Sequence, residues 1–122
     1  MKVESKPTKE VSPRRLALII YGLLCDIDES VECREVYGDF EFEAKSFNLN
    51  ISFNNKILDI NNLESKISGT GKRVVQLLKG FSESNKLGLY AKKVKSTAAT
   101  FWLEMGFELD TEDGAFVCSN FS

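Results

Sequence analysis

The sequence predicts one α/β domain of the mixed-sheet (α+β) kind, in which an antiparallel meander is followed by a β-α-β-α-β unit. Three observations predict it. Apolar residues recur at helical spacing up to residue 27, alternate with polar residues from 40 to 63, and then form separate helical and strand-like runs. The 122 residues suit one domain. The element order is α-β-β-β-α-β-α-β-β, which is typical of a mixed sheet with helices on its faces.

The first helix is predicted from Pro13 to about Asp26. Residues 1–11 are polar and lysine-rich, and we expect a flexible tail followed by a single domain over 12–122. Ser12 suits a helix N-cap, and Pro13 suits the first helical position. Apolar residues then follow on one helical face at Leu16, Ile19, Ile20, Leu23, Leu24 and Ile27.

Three alternating runs predict the meander. The first contains Phe40 and Phe42, the second runs from Phe47 to Phe53, and the third covers residues 57–63 after the turn signal Asn54-Asn55. Helical spacing returns in residues 74–81. A short apolar strand over 87–91, a helix over 98–105 and a hairpin around Asp113-Gly114 complete the pattern.

Composition excludes several classes of function. The net charge is −2, which gives no general attraction to nucleic acid or to anionic membranes. The apolar run 16–25 is too short to span a bilayer, so we expect a cytoplasmic protein. The absence of histidine removes histidine-based catalysis, and three scattered cysteines favour reduced thiols and no metal site.

A glycine loop, residues 66–73 (KISGTGKR), lies between a predicted strand and a predicted helix. Gly69 and Gly71 let the backbone approach a ligand closely, and the helix N-terminus offers amide donors and a positive dipole end. Lys72 and Arg73 add positive charge, so the loop favours a phosphate or pyrophosphate. A P-loop would need glycine at Lys66 and Ser or Thr at Arg73, and a dinucleotide fingerprint would need a third glycine. A tight strand-to-helix turn without a ligand remains the structural alternative.

Two motifs together resemble the GNAT superfamily of N-acetyltransferases. Gly69 and Gly71 are similar to the family's [QR]-x-x-G-x-[GA] pyrophosphate loop, with Lys66 at the first position. Residues 98–107 (AATFWLEMGF) look like the family segment A-x-x-F-Y-x-x-x-G-F. A helix and a short strand lie between them, in the family order. The resemblance covers residues 57–118 well, the meander loosely and the first thirty residues thinly.

The resemblance implies that the chain binds acetyl-CoA and transfers its acetyl group to an amine. The splayed strand would lie along the pantetheine, and the glycine loop would hold the pyrophosphate. Lys95 occupies the position of a family asparagine that opens the last helix. The implied coenzyme contacts are Leu63, Ser65, Lys66, Ser68, Gly69, Thr70, Gly71, Lys72 and Lys95.

The resemblance also implies catalytic candidates, with one departure. Trp102 stands where the family has a tyrosine, and an indole N–H is no useful acid toward a thiolate. Tyr90 on the neighbouring strand is the substitute, with protonation by water as the simpler alternative. Without histidine, a base must be a carboxylate, a tyrosine or a water relay. The candidates are Asp59 and Glu64, which we place at the end of the central strand.

Charge is segregated along the chain. Residues 26–43 contain eight acids and one base, whereas residues 66–95 contain eight bases and one acid. In the GNAT arrangement the basic half would face the coenzyme, and the acidic half would face a cationic amine acceptor, either a small molecule or a protein.

Three functional alternatives stay open: a degenerate GNAT domain that binds CoA or a protein without turnover, nucleotide binding at the glycine loop, and a homodimer or partner that supplies a missing first strand.

Overall fold

The structure is a computed structural model that describes residues 12–91, 99–110 and 115–118. The predicted tail 1–11, Lys95 and the turn Asp113-Gly114 lie outside the described residues. Within them the chain forms three helices and one mixed, open sheet of seven strands. The elements are α1 (Pro13–Cys25), β1 (Glu32–Val36), β2 (Asp39–Glu43), β3 (Phe47–Asn54), β4 (Ile57–Ser65), α2 (Thr70–Ser84), β5 (Gly88–Ala91), α3 (Ala99–Glu104), β6 (Phe107–Asp110) and β7 (Ala115–Cys118).

Helix α1 begins and ends as its sequence predicts. Ser12 is the N-cap, and its Oγ accepts a hydrogen bond from the amide of Arg15 (3.2 Å). Pro13 occupies the first turn, where a missing amide costs no helical hydrogen bond. The helix ends at Cys25 and Asp26 is its C-cap, one residue before the predicted end.

The meander has four strands, so the predicted number of three was wrong. The additional strand β1 forms a tight hairpin with β2, and its register pairs Glu32 with Glu43 and Val36 with Asp39. Four of its five residues are exposed, because β1 lies at the edge of the sheet. A charged edge strand has no buried face and therefore lacks the alternation that marked the other strands.

The strand order in the sheet is β1-β2-β3-β4-β5-β7-β6. Strands β1 to β4 are antiparallel neighbours, β4 and β5 are parallel, and β7 lies antiparallel between β5 and β6. Helix α2 connects the parallel pair, as the predicted β-α-β unit requires. The described residues therefore form an α+β protein, with the meander at one end of the sheet.

One hydrophobic core lies on one face of the sheet. Cross-strand partners on this face are apolar along the sheet, as in the series Phe42, Leu49 and Leu63. The buried faces of all three helices belong to the same core cluster. Trp102 of α3 packs edge-to-face on Phe107 at a centroid distance of 5.1 Å. Polar residues predominate on the opposite face of the sheet.

None of the described helices has the length and hydrophobicity needed to cross a membrane.

Candidate functional site

Strands β4 and β5 pair over only part of β4. The parallel register joins residues 57–60 to residues 88–91, and Ile60↔Ala91 is its last pair. Strand β4 continues to Ser65, still paired with β3 on its other side. Within the described chain, the β5-facing edge of residues 61–65 therefore has no strand beside it. Such an edge offers main-chain donors and acceptors to an extended ligand.

A β-bulge lies where β4 extends past β5. The register with β3 shifts between Asn50 and Ile51, which makes Asn61 the extra residue of β4. The side-chain nitrogen Nδ2 of Asn61 donates to Oδ1 of Asn50 (3.0 Å) and to Oγ of Ser52 (3.1 Å). Because of the bulge, Asn62 as well as Asn61 lines the polar face of the sheet, and Leu63 returns to the core face.

The glycine loop follows β4 directly, as predicted. Gly69 is the N-cap of α2 with φ 89° and ψ −17°, a left-handed conformation that L residues rarely adopt. A Cβ at this position would have no heavy atom within 4 Å. The space next to Gly69 is therefore open, and its backbone conformation is the reason for glycine there.

Gly71 has a different environment, which the sequence-based interpretation missed. It lies inside the first turn of α2 and is buried. A Cβ would come within 3.2 Å of Cβ of Ser65 and 3.7 Å of Cζ of Phe101. Gly71 therefore lets α2 pack closely against the end of β4 and against α3.

The amides of the loop divide into two groups. Those of Thr70 and Gly71 are used internally: Thr70 donates to the Ile67 carbonyl (3.1 Å) and Gly71 donates to Oγ of Ser65 (3.1 Å). The amides of Ser68, Gly69 and Lys72 donate to no acceptor among the described residues. They stand at the positive end of the α2 dipole and remain available to an anion.

Lys66 is tied to the meander. Its amide donates to the Ser46 carbonyl (2.8 Å), and its ammonium donates to the Ala44 carbonyl (3.0 Å). In this structure the predicted first cation of the pyrophosphate loop is thus held by the β2–β3 turn. The exposed side chains of Lys72 and Arg73 supply the positive charge at the loop instead.

The same turn is connected to the segment after α1 through Asp28. Its carboxylate accepts hydrogen bonds from the amide and hydroxyl of Ser30 (2.9 and 2.6 Å) and of Ser46 (3.0 and 2.5 Å). These hydrogen bonds, those of Ser30 first, hold the pKa of Asp28 well below its usual range. Asp28, Ser46 and Lys66 form a chain of contacts that links the residues after α1 to the start of the glycine loop.

The predicted catalytic residues fall at two places on β4. Asp59 is buried and is the third residue of the strand, not near its end as predicted. Its register partner on β5 is Tyr90, which is half-buried, so these two candidates lie side by side. Glu64 is exposed near the end of β4, where its carboxylate accepts a hydrogen bond from the Asn48 side chain (3.1 Å).

The other predicted coenzyme contacts lie near the open edge. Leu63 is half-buried and packs against the core, and Ser65 is exposed. Thr70 is buried at the start of α2, whereas Ser68 is exposed in the loop. The structure therefore brings Leu63 to Lys72 together at one end of β4.

A polar concavity of about 450 Å³ lies on the sheet face opposite the core. Three carboxylates and four side-chain amides line it, and no basic residue does so within the described chain. Asn61 and Asn62, which follow the last β4–β5 pair, form one wall. Its lining residues are Asp39, Glu41, Phe42, Glu43, Asn48, Leu49, Asn50, Ser52, Asn61 and Asn62.

Hydrogen bonds cross four strands at this concavity. Arg34 on β1 forms an ion pair with Glu41 on β2 (2.9 Å), and Glu41 accepts a hydrogen bond from Asn50 on β3 (3.3 Å). Asn50 in turn accepts the hydrogen bond from Asn61 on β4. The ladder orients the amides and neutralises part of the Glu41 charge. Asp39 and Glu43 are the acidic groups of the concavity that form no ion pair with another described residue.

Sequence reasoning did not assign a role to the asparagines of this concavity. A signal was present, because Asn48, Asn50 and Ser52 alternate with buried residues and therefore share one face of β3. Their convergence with Asn61 depends on the bulge, which the sequence does not mark.

No protein-family model matches the chain, and no curated protein sequence matches it.

Proposed function

We propose that this protein is an acetyl-CoA-dependent N-acetyltransferase of the GNAT type that acetylates a primary amine of a cationic small molecule or protein. One observation carries the proposal. The parallel strands β4 and β5 are joined by α2, and a glycine loop stands between the end of β4 and that helix, where the amides of Ser68, Gly69 and Lys72 donate to no acceptor among the described residues. The two GNAT-like sequence motifs lie on these elements and on α3.

The residues at the loop fit a pyrophosphate. A Cβ at Gly69 would meet no heavy atom within 4 Å, so there is space for a ligand beside it. The backbone amides of Ser68, Gly69 and Lys72 can donate hydrogen bonds to a ligand at the start of α2. Lys72 and Arg73 add charge, and Leu63 and Ser65, which we assign to the pantetheine arm, lie at the end of β4 directly before the loop. Bound acetyl-CoA would supply an acetyl thioester whose carbonyl carbon is attacked by the acceptor nitrogen, with CoA thiol as the leaving group.

The polar concavity supports a cationic acceptor. It is acidic, it lies beside the bulge, and Asn61 and Asn62 join it to the part of β4 that extends past β5. Carboxylates at Asp39 and Glu43 attract an ammonium group, and the oriented amides offer hydrogen-bond acceptors. An amine bound there would lie next to the segment that we assign to the coenzyme.

The acceptor nitrogen must lose a proton during transfer. Asp59 and Glu64 are the carboxylates that we assign to this task, directly or through water, with Tyr90 beside Asp59 as a second proton-carrying group. If one carboxylate is the base, Asp59→Asn or Glu64→Gln should lower kcat while leaving the thermal shift with acetyl-CoA unchanged.

The first test measures thermal unfolding with acetyl-CoA, CoA and ATP. A ligand at about 100 times its Kd stabilises the folded state by roughly 2.7 kcal/mol, which corresponds to several degrees for a domain of this size. We expect shifts with both coenzymes and little with ATP. Lys72→Gln combined with Arg73→Gln should reduce the shift, whereas Lys56→Gln, an exposed lysine beyond the other end of β4, should not. An equal shift with ATP would favour general nucleotide binding, and no shift with either coenzyme would refute the proposal.

A second candidate function is a GNAT-like domain that binds CoA or a protein without turnover. Trp102 favours it, because the residue at the family's tyrosine position is only 6% exposed and packs on Phe107. An indole held in the core takes no part in proton transfer. An acetyl-transfer assay with diamines, triamines and lysine peptides separates the two: binding of acetyl-CoA without product from any amine would support the second function.

A further inference from the structure

Helix α1 is apolar on the side that packs into the core and also on a second, exposed side. One side packs into the core through Leu16, Ile20 and Leu24, which are at most 7% exposed. The other side carries Leu18, Ile19 and Leu23 with exposures of 66%, 45% and 37%. A helix on the surface of a monomer normally places polar residues there.

The exposed apolar residues form one continuous stripe. Positions 15, 18, 19, 22, 23 and 26 follow the spacing i, i+3, i+4, i+7, i+8, i+11, which keeps them on one side of a helix. Gly22 lies in the middle, and a Cβ there would meet nothing within 4 Å. The stripe therefore has a dent at Gly22 with large side chains beside it.

The ends of the stripe carry opposite charges. Arg15 is exposed in the first turn, and Asp26 is exposed at the C-cap. No hydrogen bond or ion pair of the Asp26 carboxylate or the Arg15 guanidinium is found within the described residues. Both charges are thus free to pair with a group outside this helix.

The stripe is complementary to its own antiparallel copy. When a second α1 is reversed about the level midway between residues 20 and 21, Arg15 faces Asp26, and Leu18 lies at the same level as Leu23 of the second copy. Ile19 then faces Gly22 of the second copy, so a large side chain meets the dent. Because the operation is two-fold, each of these contacts occurs twice.

We propose that α1 forms a two-fold homodimer interface with α1 of a second copy of this chain. Size complementarity at Gly22 and charge complementarity at Arg15 and Asp26 both argue for a second copy as the occupant. The contact is about three helical turns long, so we expect a monomer–dimer equilibrium rather than an obligate dimer. The proposal is independent of the proposed acetyl transfer.

The test is sedimentation equilibrium of the full chain over about two orders of magnitude in concentration, with charge-reversed variants. Arg15→Asp alone places like charges at both ends of the interface, and so does Asp26→Arg alone. Each should weaken association at least about tenfold. An equimolar mixture of the two variants restores both opposite-charge contacts in a heterodimer, and one labelled partner makes that species measurable.

The introduced charges should not destabilise the folded state of the single variants. An aspartate in the first turn and an arginine at the C-cap both interact favourably with the helix dipole. We expect a wild-type dimer, weakened single variants and restored association in the mixture. A wild-type protein that stays monomeric, or a mixture no tighter than the single variants, would overturn the proposal; a monomer that binds lipid vesicles would instead identify a membrane surface as the occupant.

Discussion

Gly69 and Gly71 are two residues apart, yet different constraints require glycine at each. Gly69 needs it because φ is 89°, whereas at Gly71 the constraint is packing, because a Cβ there would approach Cβ of Ser65 to 3.2 Å. Only the first constraint leaves open space for a ligand. The pattern G-x-G therefore combines one conformational requirement with one packing requirement, and a motif search alone cannot separate them.

Replacing Gly69 with alanine should destabilise the protein by about 1–2 kcal/mol, because the left-handed conformation is strained for an L residue. The matched control is Gly80→Ala in the exposed middle of α2, where a Cβ meets no atom within 4 Å. That control should stabilise the protein by about 0.5–1 kcal/mol through helix propensity. Urea unfolding of both variants measures the difference, and equal effects would contradict the assigned conformation of Gly69.

The Asp28 carboxylate should make stability depend on pH in the acid range. Its folded-state pKa lies below the ordinary value because Ser30 and Ser46 donate to the charged form. The folded state therefore gains stability from this group above the unfolded-state pKa of about 4 and loses it as the pH falls below that value. Asp28→Asn should lower the Tm at pH 7 and should flatten the change in Tm between about pH 5 and pH 2.

The control for this prediction is Glu29→Gln, which removes an exposed charge at the next position. It should leave the Tm and its pH dependence close to wild type. Thermal unfolding by circular dichroism across the pH series makes the comparison. A parallel pH profile for Asp28→Asn and wild type would show that the hydrogen bonds to Asp28 do not contribute as described.

At the scale of elements, strong local signals made most of the fold predictable. Ser12-Pro13 marks the start of α1, and the alternation in β2 and β3 follows from one buried face. Strand β1 was missed because its residues are exposed at an edge, so its formation depends on pairing with β2 and not on burial. Backbone hydrogen bonding between two strands does not require alternating apolar and polar side chains, so it leaves no periodic pattern in a single sequence.

The candidate site was predictable only in part, for a related reason. The glycine loop shows in the sequence because its backbone geometry demands particular residues. The parallel register of β4 with β5 and the bulge at Asn61 are relations between strands, and no residue type announces them. Asp59 was misplaced although the start of the strand was predicted correctly: β4 begins at Ile57 and continues to Ser65, so Asp59 lies near its beginning.

Gly22→Ala in α1 should have opposite effects on two quantities, the stability of the monomer and the association of two copies. A Cβ at this exposed position meets no atom, so alanine should stabilise the monomer by about 0.5–1 kcal/mol. The same methyl group would fill the dent that we assign to Ile19 of a second copy, so association should weaken. Urea unfolding at low concentration and sedimentation at high concentration measure the two effects; a gain in both would contradict the proposed contact.

At the scale of the molecule, the charges place the acidic concavity on the meander and the basic side chains at the start of α2. If the concavity binds an acceptor amine, removing the Asp39 or Glu43 charge should raise the Kd for a triamine by about two- to five-fold each. Added salt should weaken binding to wild type more than to the double variant. Calorimetric titration checks both, with Glu108→Gln on β6 as an exposed control at the far end of the sheet.

The position of β7 has a consequence for biosynthesis. Strands β1 to β4 are neighbours both in sequence and in space, so the meander can assemble while the ribosome still holds the rest of the chain. Strand β7 is the last along the chain, yet it lies between β5 and β6. Until residues 115–118 emerge, β5 can pair only with β4, and the angle between these two strands lacks the support of the outer hairpin. The β5 side of the sheet therefore acquires its final shape only after residues 115–118 have left the ribosome.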